Sequence, residues 1–413
     1  MGNQVKALHL TPFYPPHIGG LENHAGKLDQ LLAAQGVSIT VFTARLPRSA
    51  AEHEKISPNL QVIRYPAAEI IPHYPIPAFW RPVFWQLVRS AQKNQPDVIM
   101  SRTRFFIASL FAVLLAKMTS KPHMHIEHGS DFPSLATPLL TKIAWVWDYT
   151  LGRFVLKAAD ALVANSRASA SFVKKLSGRD SQVIYRGIDK AAIEKITSVN
   201  LSTHYSLLTT NSVIITYAGR LIFGKGVADL LHALQICSRS LLSPPKTLTP
   251  NPSPSASWRT RRGELKLNII GSGPQEAELK QLTKKLGLEN VVTFLGEQSF
   301  EQTISIMKSS DIFVNPSHTE GLPTSVIEAA LCKIAIIATN VGGTPEIVTD
   351  KTSAILIPPK DPELLAQKLQ QLIADPALRA RLAENAFHEV SQKFSWDEAV
   401  QQYQNLFDKL ADL

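Results

Sequence analysis

Short apolar runs rich in Val, Ile and Leu alternate with stretches of helical periodicity along almost all of this chain. Strands with no polar alternation are buried on both faces, so helices must cover both sides of a mostly parallel sheet. The pattern runs twice. In the first half it predicts strands at 5–10, 38–43, 62–65, 98–100, 123–127, 161–164 and 183–185, with helices between them such as 22–35 and 105–117. A Pro-rich stretch at 71–82 leads into 83–93, a region that is both aromatic and basic (Phe79, Trp80, Arg81, Phe84, Trp85, Arg89). In the second half it predicts strands at 213–218, 266–270, 291–294, 312–315, 334–338 and 354–357. Helices are expected at 227–237, 275–286, 300–309, 323–331 and 362–373, and two more close the chain.

The 413 residues exceed one ordinary core. The expected organisation is a first α/β domain at 1–190, a linker at 191–210, a second α/β domain at 211–394 and a last helix within 395–413. Residues 241–263 break the pattern with Pro244, Pro245, Pro250, Pro252 and Pro254 followed by Arg259, Arg261 and Arg262. Without apolar periodicity this segment reads as a disordered insertion.

A hydrophobic content of 45% with 19% charged residues excludes gross disorder, collagen-like repetition and a disulfide scaffold. Cys237 and Cys332 stand alone without metal-binding spacing, which fits a reducing, cytoplasmic compartment. The longest largely apolar run, 105–116, is 12 residues, and a membrane span needs about 20, so it reads as a buried helix. The N-terminus reads as a strand, and no targeting segment is expected. The net charge of +9 is unevenly placed. Residues 1–190 hold 22 Lys and Arg against 12 Asp and Glu, and the remainder is nearly balanced. Nucleic acid, an anionic membrane surface or a phosphorylated acceptor would each suit such a half.

Five segments carry candidate chemistry. Gly19-Gly20-Leu21-Glu22 follows the first strand, where glycines admit close approach to a ligand and a helix N-terminus favours phosphate, although a plain tight turn reads the same way. Gly219-Arg220-Leu221 and Lys225-Gly226 place two cations after a strand, where open α/β sheets bind ligands. Arg supplies a bidentate fork and Lys a point charge, a pair suited to a diphosphate. Gly271-Ser272-Gly273-Pro274 resembles a dinucleotide fingerprint but has Glu276 in place of the last small residue, which argues against a Rossmann oxidoreductase. Glu320-Gly321-Leu322-Pro323-Thr324-Ser325 precedes Glu328, and Pro323 is expected to start a helix. The amides of Leu322, Thr324 and Ser325 would then face an anion, and Glu320 and Glu328 suit sugar hydroxyls. Helix-dipole compensation for Glu320 and a surface ion pair for Glu328 are the simpler alternatives. Last, Glu127-His128-Gly129 ends an apolar strand, where site residues gather, although a satisfied structural histidine is the commoner reading and no second ligand stands at metal spacing.

Taken together these segments resemble the family 4 glycosyltransferases, a retaining group with the GT-B fold. The residues that carry the likeness are Gly19-Gly20 with Glu22, Glu127-His128-Gly129, Gly219-Arg220-Leu221 with Lys225-Gly226, the Glu320 and Glu328 pair, and Gly342-Gly343-Thr344-Pro345-Glu346. The likeness implies two Rossmann-like α/β/α domains facing across a cleft, with the last helix crossing back to the first domain. It implies a hexosyl unit moved from a UDP- or GDP-linked donor to a hydroxyl acceptor, lipid-linked or saccharide, in polysaccharide or glycolipid synthesis. No cofactor or metal is required on this reading, and nucleic acid is not a partner. The aromatic and basic stretch 79–89 suggests a peripheral position on the inner face of a membrane, although Trp80, Phe84 and Trp85 would equally suit internal packing. By position, Arg220 and Lys225 would bind the diphosphate and Glu328 the ribose. Glu320 would contact the donor sugar, and His128 would lie near the anomeric carbon. Gly19, Gly20, Gly273, Leu322, Thr324 and Ser325 would complete the donor site. A non-catalytic nucleotide-sugar binder and a sugar-nucleotide epimerase are alternatives of the same fold. Lys333 stands where the family often has Gly, and a lysine in a left-handed cap would be strained, so a different turn is expected there.

Overall fold

The computed structural model describes residues 4–17, 19–71, 74–132, 138–199, 212–242 and 265–412. The expected insertion at 241–263 lies almost wholly outside these residues, as does the linker from 200 onward. The chain divides into two compact units, Met1–Gly187 with Ser395–Leu413, and Ile188–Phe394.

Unit 1 is built on an eight-stranded sheet. Its strands are β1 (Lys6–Thr11), β2 (Ser38–Ala44), β3 (His53–Ser57), β4 (Leu60–Tyr65), β7 (Val98–Arg102), β8 (His123–Glu127), β9 (Ala161–Ala164) and β10 (Gln182–Val183), and a separate hairpin pairs β5 (Ala67–Ile71) with β6 (Tyr74–Pro77). The spatial order is β10-β9-β8-β7-β1-β2-β4-β3, parallel except for β3 at the edge. The connection reverses between β1 and β7, which creates a topological switch point at their carboxyl ends. Strand β3 and the hairpin fall where no strand was expected. β3 is exposed over its first four residues, and the hairpin carries prolines, so neither shows an apolar run.

Two apolar layers cover this sheet. One face packs Phe84 and Leu87 of helix Pro82–Gln92 and Phe111 and Leu115 of helix Ile107–Thr119 onto Leu8, Leu10, Phe42 and Ile99. The other packs Leu28 and Leu32 of helix Gly20–Ala34 with Tyr403 and Phe407 of the last helix, Trp396–Ala411, onto Val41, Met100 and Ile126. Full burial of such a side chain is worth about 1.5–3 kcal/mol. The last helix therefore belongs energetically to unit 1, although 207 residues of unit 2 separate it from Gly187. Gly187 and Trp396 meet where the chain leaves and returns, and any Cβ at Gly187 would overlap the Trp396 backbone and ring.

Unit 2 has six parallel strands, β11 (Val213–Ala218), β12 (Leu265–Ile270), β13 (Val292–Gly296), β14 (Ile312–Asn315), β15 (Ala335–Thr339) and β16 (Ile355–Ile357), in the order β13-β12-β11-β14-β15-β16. This is the doubly wound order, with its switch point between β11 and β14. Residues 191–199 of the expected linker open with helix Lys190–Lys195, which is part of unit 2. Ile193 is buried, and Lys308 Nζ donates to the carbonyls of Ile193 and Ile196. Lys333 does adopt a left-handed conformation, at φ 56°, so the turn is retained rather than changed. Its ammonium lies 4.3 Å from the centre of the Phe387 ring and pairs with Glu384, which offsets the strain.

Candidate functional site

In unit 2 the loops after β11 and β14 are sewn together at the switch point. The His318 amide donates to the Gly224 carbonyl at 2.9 Å, and His318 Nε2 pairs with Asp229 at 2.8 Å. Gly226 sits at φ +63° directly under the Pro316 carbonyl, and a Cβ there would lie 2.9 Å from the Pro316 carbonyl carbon and closer still to its oxygen. Only glycine fits both demands.

This apposition brings Lys225 and Glu320 together. Lys225 Nζ donates to Glu320 Oε1 at 2.7 Å, and the same oxygen accepts from Ser317 Oγ at 2.7 Å and Asn315 Nδ2 at 3.4 Å. Glu320 is 9% exposed, so its carboxylate is held by three donors at the rim of the sheet rather than waving in solvent. Its carboxylate is thus paired with the lysine expected to bind phosphate.

Arg220 is exposed at the end of β11. Its backbone is fixed by Tyr217, whose hydroxyl donates to the Arg220 carbonyl at 3.0 Å. The turn Gly271 to Gly273 after β12 locks onto the same loop, with the Leu221 amide donating to the Ser272 carbonyl at 2.8 Å. Gly273 thus supports the Arg220 loop, and a Cβ on it would collide with the Leu221 backbone.

The helix after β14 spans Thr324–Leu331, with Pro323 as its N-cap rather than its first helical residue. No side chain caps it, and the amides of Leu322, Thr324 and Ser325 have no acceptor among the described residues. They are the orphan donors of a helix N-terminus, positioned for an anion. Glu328 lies half-buried on the second turn of the same helix. Arg220, Lys225, Glu320 and these amides therefore all stand on the β11 and β14 loops of one sheet.

In unit 1 the expected residues gather at the other switch point. Gly19 is the extended N-cap of helix Gly20–Ala34, and a Cβ on it would strike the Glu22 carboxylate. Glu22 is buried and accepts from His17 Nδ1 at 2.5 Å. Nothing lies within 4 Å of a Cβ on Gly20, so the helix start is open there.

His128 follows β8 in a turn built around the buried Glu127. Glu127 Oε1 accepts from the amides of His128 at 2.9 Å and Gly129 at 2.7 Å and from Arg104 at 3.0 Å. Burial alone would raise the Glu127 pKa, but Arg104, His125 and the Gly129 amide outweigh it and hold the carboxyl well below its usual range. Arg104 also grips Asp148 at 2.8 Å.

Burial, reinforced by Arg102, pushes the His128 pKa down to about 3, so the ring is neutral at pH 7. Asn165 Nδ2 donates to His128 Nδ1 at 3.4 Å, and the Asn165 oxygen is itself fixed by Ser169 Oγ at 2.8 Å. This network leaves the ring proton on Nε2, which is buried and has no partner among the described residues.

Sequence reasoning missed the groups behind His128. Arg102 ends β7 fully buried, donating from Nε to His9 Nε2 at 2.9 Å and contacting His24 Nδ1 at 3.0 Å, and His9 Nδ1 pairs with Asp29 at 2.7 Å. His24 stacks on Trp396 with centroids 5.3 Å apart and meets His128 edge to face at 5.8 Å. A cation placed on the strand next to β1 was the only local signal for this network.

Among the described residues, no cluster of His, Cys, Asp or Glu has a metal-binding arrangement, and no helix is long and apolar enough to cross a membrane. Residues 18–192 match the Glycosyltransferase Family 4 description, and residues 205–389 match Glycosyl transferases group 1. An uncharacterized glycosyltransferase of Methanocaldococcus jannaschii is 32% identical, with 99% of this chain and 100% of that protein aligned. Sucrose-phosphate synthase from Thermosynechococcus elongatus shares the fold at TM-score 0.77 and 21% identity, covering 98% of this chain and 99% of that one. Anabaena HepE in complex with UDP-glucose superposes at TM-score 0.73 and 21% identity over 98% and 100% of the two chains. The chain belongs to the family 4 glycosyltransferases and has the GT-B fold.

Proposed function

We propose that this glycosyltransferase is a retaining hexosyltransferase that uses a nucleotide-diphosphate sugar. The observation that carries the reading is the convergence of Arg220, Lys225, Glu320 and three unpartnered amides at the switch point of unit 2. Two cations and a helix N-terminus suit a diphosphate, and carboxylates beside them suit the hydroxyls of a ribose and a hexose.

On this reading Arg220 and Lys225 take the diphosphate oxygens, and Glu328 accepts the ribose diol. As the bond from the anomeric carbon to the diphosphate oxygen breaks, its electron pair goes to the leaving group, where the two cations stabilise the growing charge. The acceptor oxygen bonds to the anomeric carbon on the same face, and its proton passes to the departing phosphate. His128, neutral at pH 7, lies near the anomeric carbon without adding charge. Protein cations suffice for this stabilisation, so chelation with EDTA is expected to leave turnover intact. The bound UDP-glucose of HepE makes a uridine donor the first to try. The basic excess of residues 1–190 and the exposed Trp80 and Arg81 favour a lipid-linked acceptor at an anionic, cytoplasmic membrane face.

The test is a thermal-shift screen against UDP, GDP, ADP and their sugars, with Glu328→Ala beside the wild type. Ligand at 100 times its dissociation constant adds about 2.7 kcal/mol. A selective shift that Glu328→Ala abolishes is the expected result, followed by product analysis in which the anomeric configuration of the donor is kept. No shift with any nucleotide, or an inverted product, refutes the reading.

A further inference from the structure

Unit 1 carries an apolar groove apart from the residues assembled above. It runs between helices Pro82–Gln92 and Ile107–Thr119 with a volume of about 560 Å³, inside the range of sites that hold small molecules. Phe79, Trp85 and Val88 form one wall, and Ile107, Leu114 and Met118 form the other. Trp85 donates its Nε1 proton to the Phe79 carbonyl at 2.9 Å, so its one polar atom is used within the protein and the ring lines the groove. Leu114 and Met118, one turn apart, are 46% and 81% exposed.

The groove ends in charge. A second cavity of about 410 Å³ shares Phe79, Trp85 and Arg89 with it and adds Trp80 and Arg81. Both arginines are exposed, and no carboxylate lines either cavity. An apolar slot that opens onto two arginines and an exposed indole is complementary to an amphiphile with an anionic phosphate, since guanidinium forks bind phosphate and Trp favours the headgroup level.

We propose that this groove takes one hydrocarbon chain of an anionic bilayer lipid, with the lipid phosphate held by Arg81 and Arg89, and thereby docks unit 1 on the membrane. The proposal rests on the membrane-facing part of the functional reading and names the residues that perform it. A protein helix seated on the same stripe would not need the two arginines, and simple adsorption would not need the groove.

The experiment uses the full chain and sedimentable vesicles of phosphatidylcholine, with or without phosphatidylglycerol. Binding to the anionic vesicles is expected to be tighter by roughly thirtyfold, since each basic residue at the surface contributes about a factor of five. The double variant Arg81→Gln/Arg89→Gln is expected to remove that preference. Phosphatidylglycerol brominated on its acyl chains should quench tryptophan fluorescence. Trp85→Phe should lose most of that quenching while still sedimenting, and Leu114→Glu should weaken sedimentation. Equal affinity for both vesicle types, no sedimentation, or quenching that persists in Trp85→Phe overturns the proposal. The nucleotide-induced thermal shift is read on the same samples. Its absence in the wild type would count against the donor site and leave the groove standing, and its retention in Leu114→Glu shows that the variant is folded.

Discussion

Gly226→Ala tests whether the β11 and β14 loops are as tightly apposed as the site requires. The substitution adds two costs that can be separated. Alanine at φ +63° incurs a left-handed backbone penalty of about 1–2 kcal/mol. Its Cβ would also lie 2.9 Å from the Pro316 carbonyl carbon. Carbon atoms prefer about 3.5–4.0 Å, so the loops must part by roughly 0.6 Å or more, and overpacking of this kind costs about 1–3 kcal/mol. Gly287 supplies the control, because it has φ +70° in the same unit and nothing within 4 Å of its Cβ. Gly287→Ala should show the backbone cost alone. Gly226→Ala should lose about 1–3 kcal/mol more, or roughly 2–12 °C in Tm at 2–4 °C per kcal/mol for a unit of this size. Because Lys225 and Glu320 ride on the displaced loops, nucleotide affinity should also fall in Gly226→Ala and not in Gly287→Ala. The readouts are thermal unfolding with and without UDP. If both alanine variants melt together and bind nucleotide equally, the loops are not apposed as argued.

Three further outcomes follow from burial. Burial holds His123 and His128 at pKa values of about 3, below the unfolded value of 6.5, so between those limits the unfolded chain binds more protons than the folded one. Stability should be level above pH 6.5 and fall by about 2.7 kcal/mol per pH unit below it from these two rings, and His9 and His24 shift in the same direction. Urea titrations across that range read it directly, and a flat profile from pH 7 to 5 contradicts the burial of these rings. The thiols of Cys237 and Cys332 are buried and pushed up to about 12, so a thiol reagent should label the native protein only as fast as it unfolds. Phe407→Ala should cost about 3–5 kcal/mol through the cavity it leaves between the last helix and the sheet of unit 1, measured by denaturant midpoint.

Much of the fold was legible because its signals are local. Strands β9, β11 and β14 are short, mostly apolar buried runs, and the pattern located them, together with the more polar β8, at their observed ends. Helix starts carry their own caps, as in Asp361-Pro362, Asp375-Pro376 and the Ser299 capping box with Gln302. The glycines at 226 and 271 mark backbone positions that tolerate no side chain, in the loops after β11 and β12. The exposed edge strand β3 and the Pro-bearing hairpin were not legible, because neither alternates polarity in the way a half-buried strand must.

Local sequence signals suffice for the doubly wound architecture, the positions of the loops that follow each strand, and the residue types on them. They could not determine which side chains would share a charge. Lys225 reaches Glu320 across 95 residues, and Arg102 reaches His9 across 93. Those pairings depend on β11 lying beside β14 and β1 beside β7, a strand order decided only when the chain closes its sheets. A buried charge is tolerated only beside a partner, and the partner is supplied by the sheet order rather than by neighbours in the chain. For the same reason His128 is a lone residue in the sequence and part of a buried side-chain network in the fold.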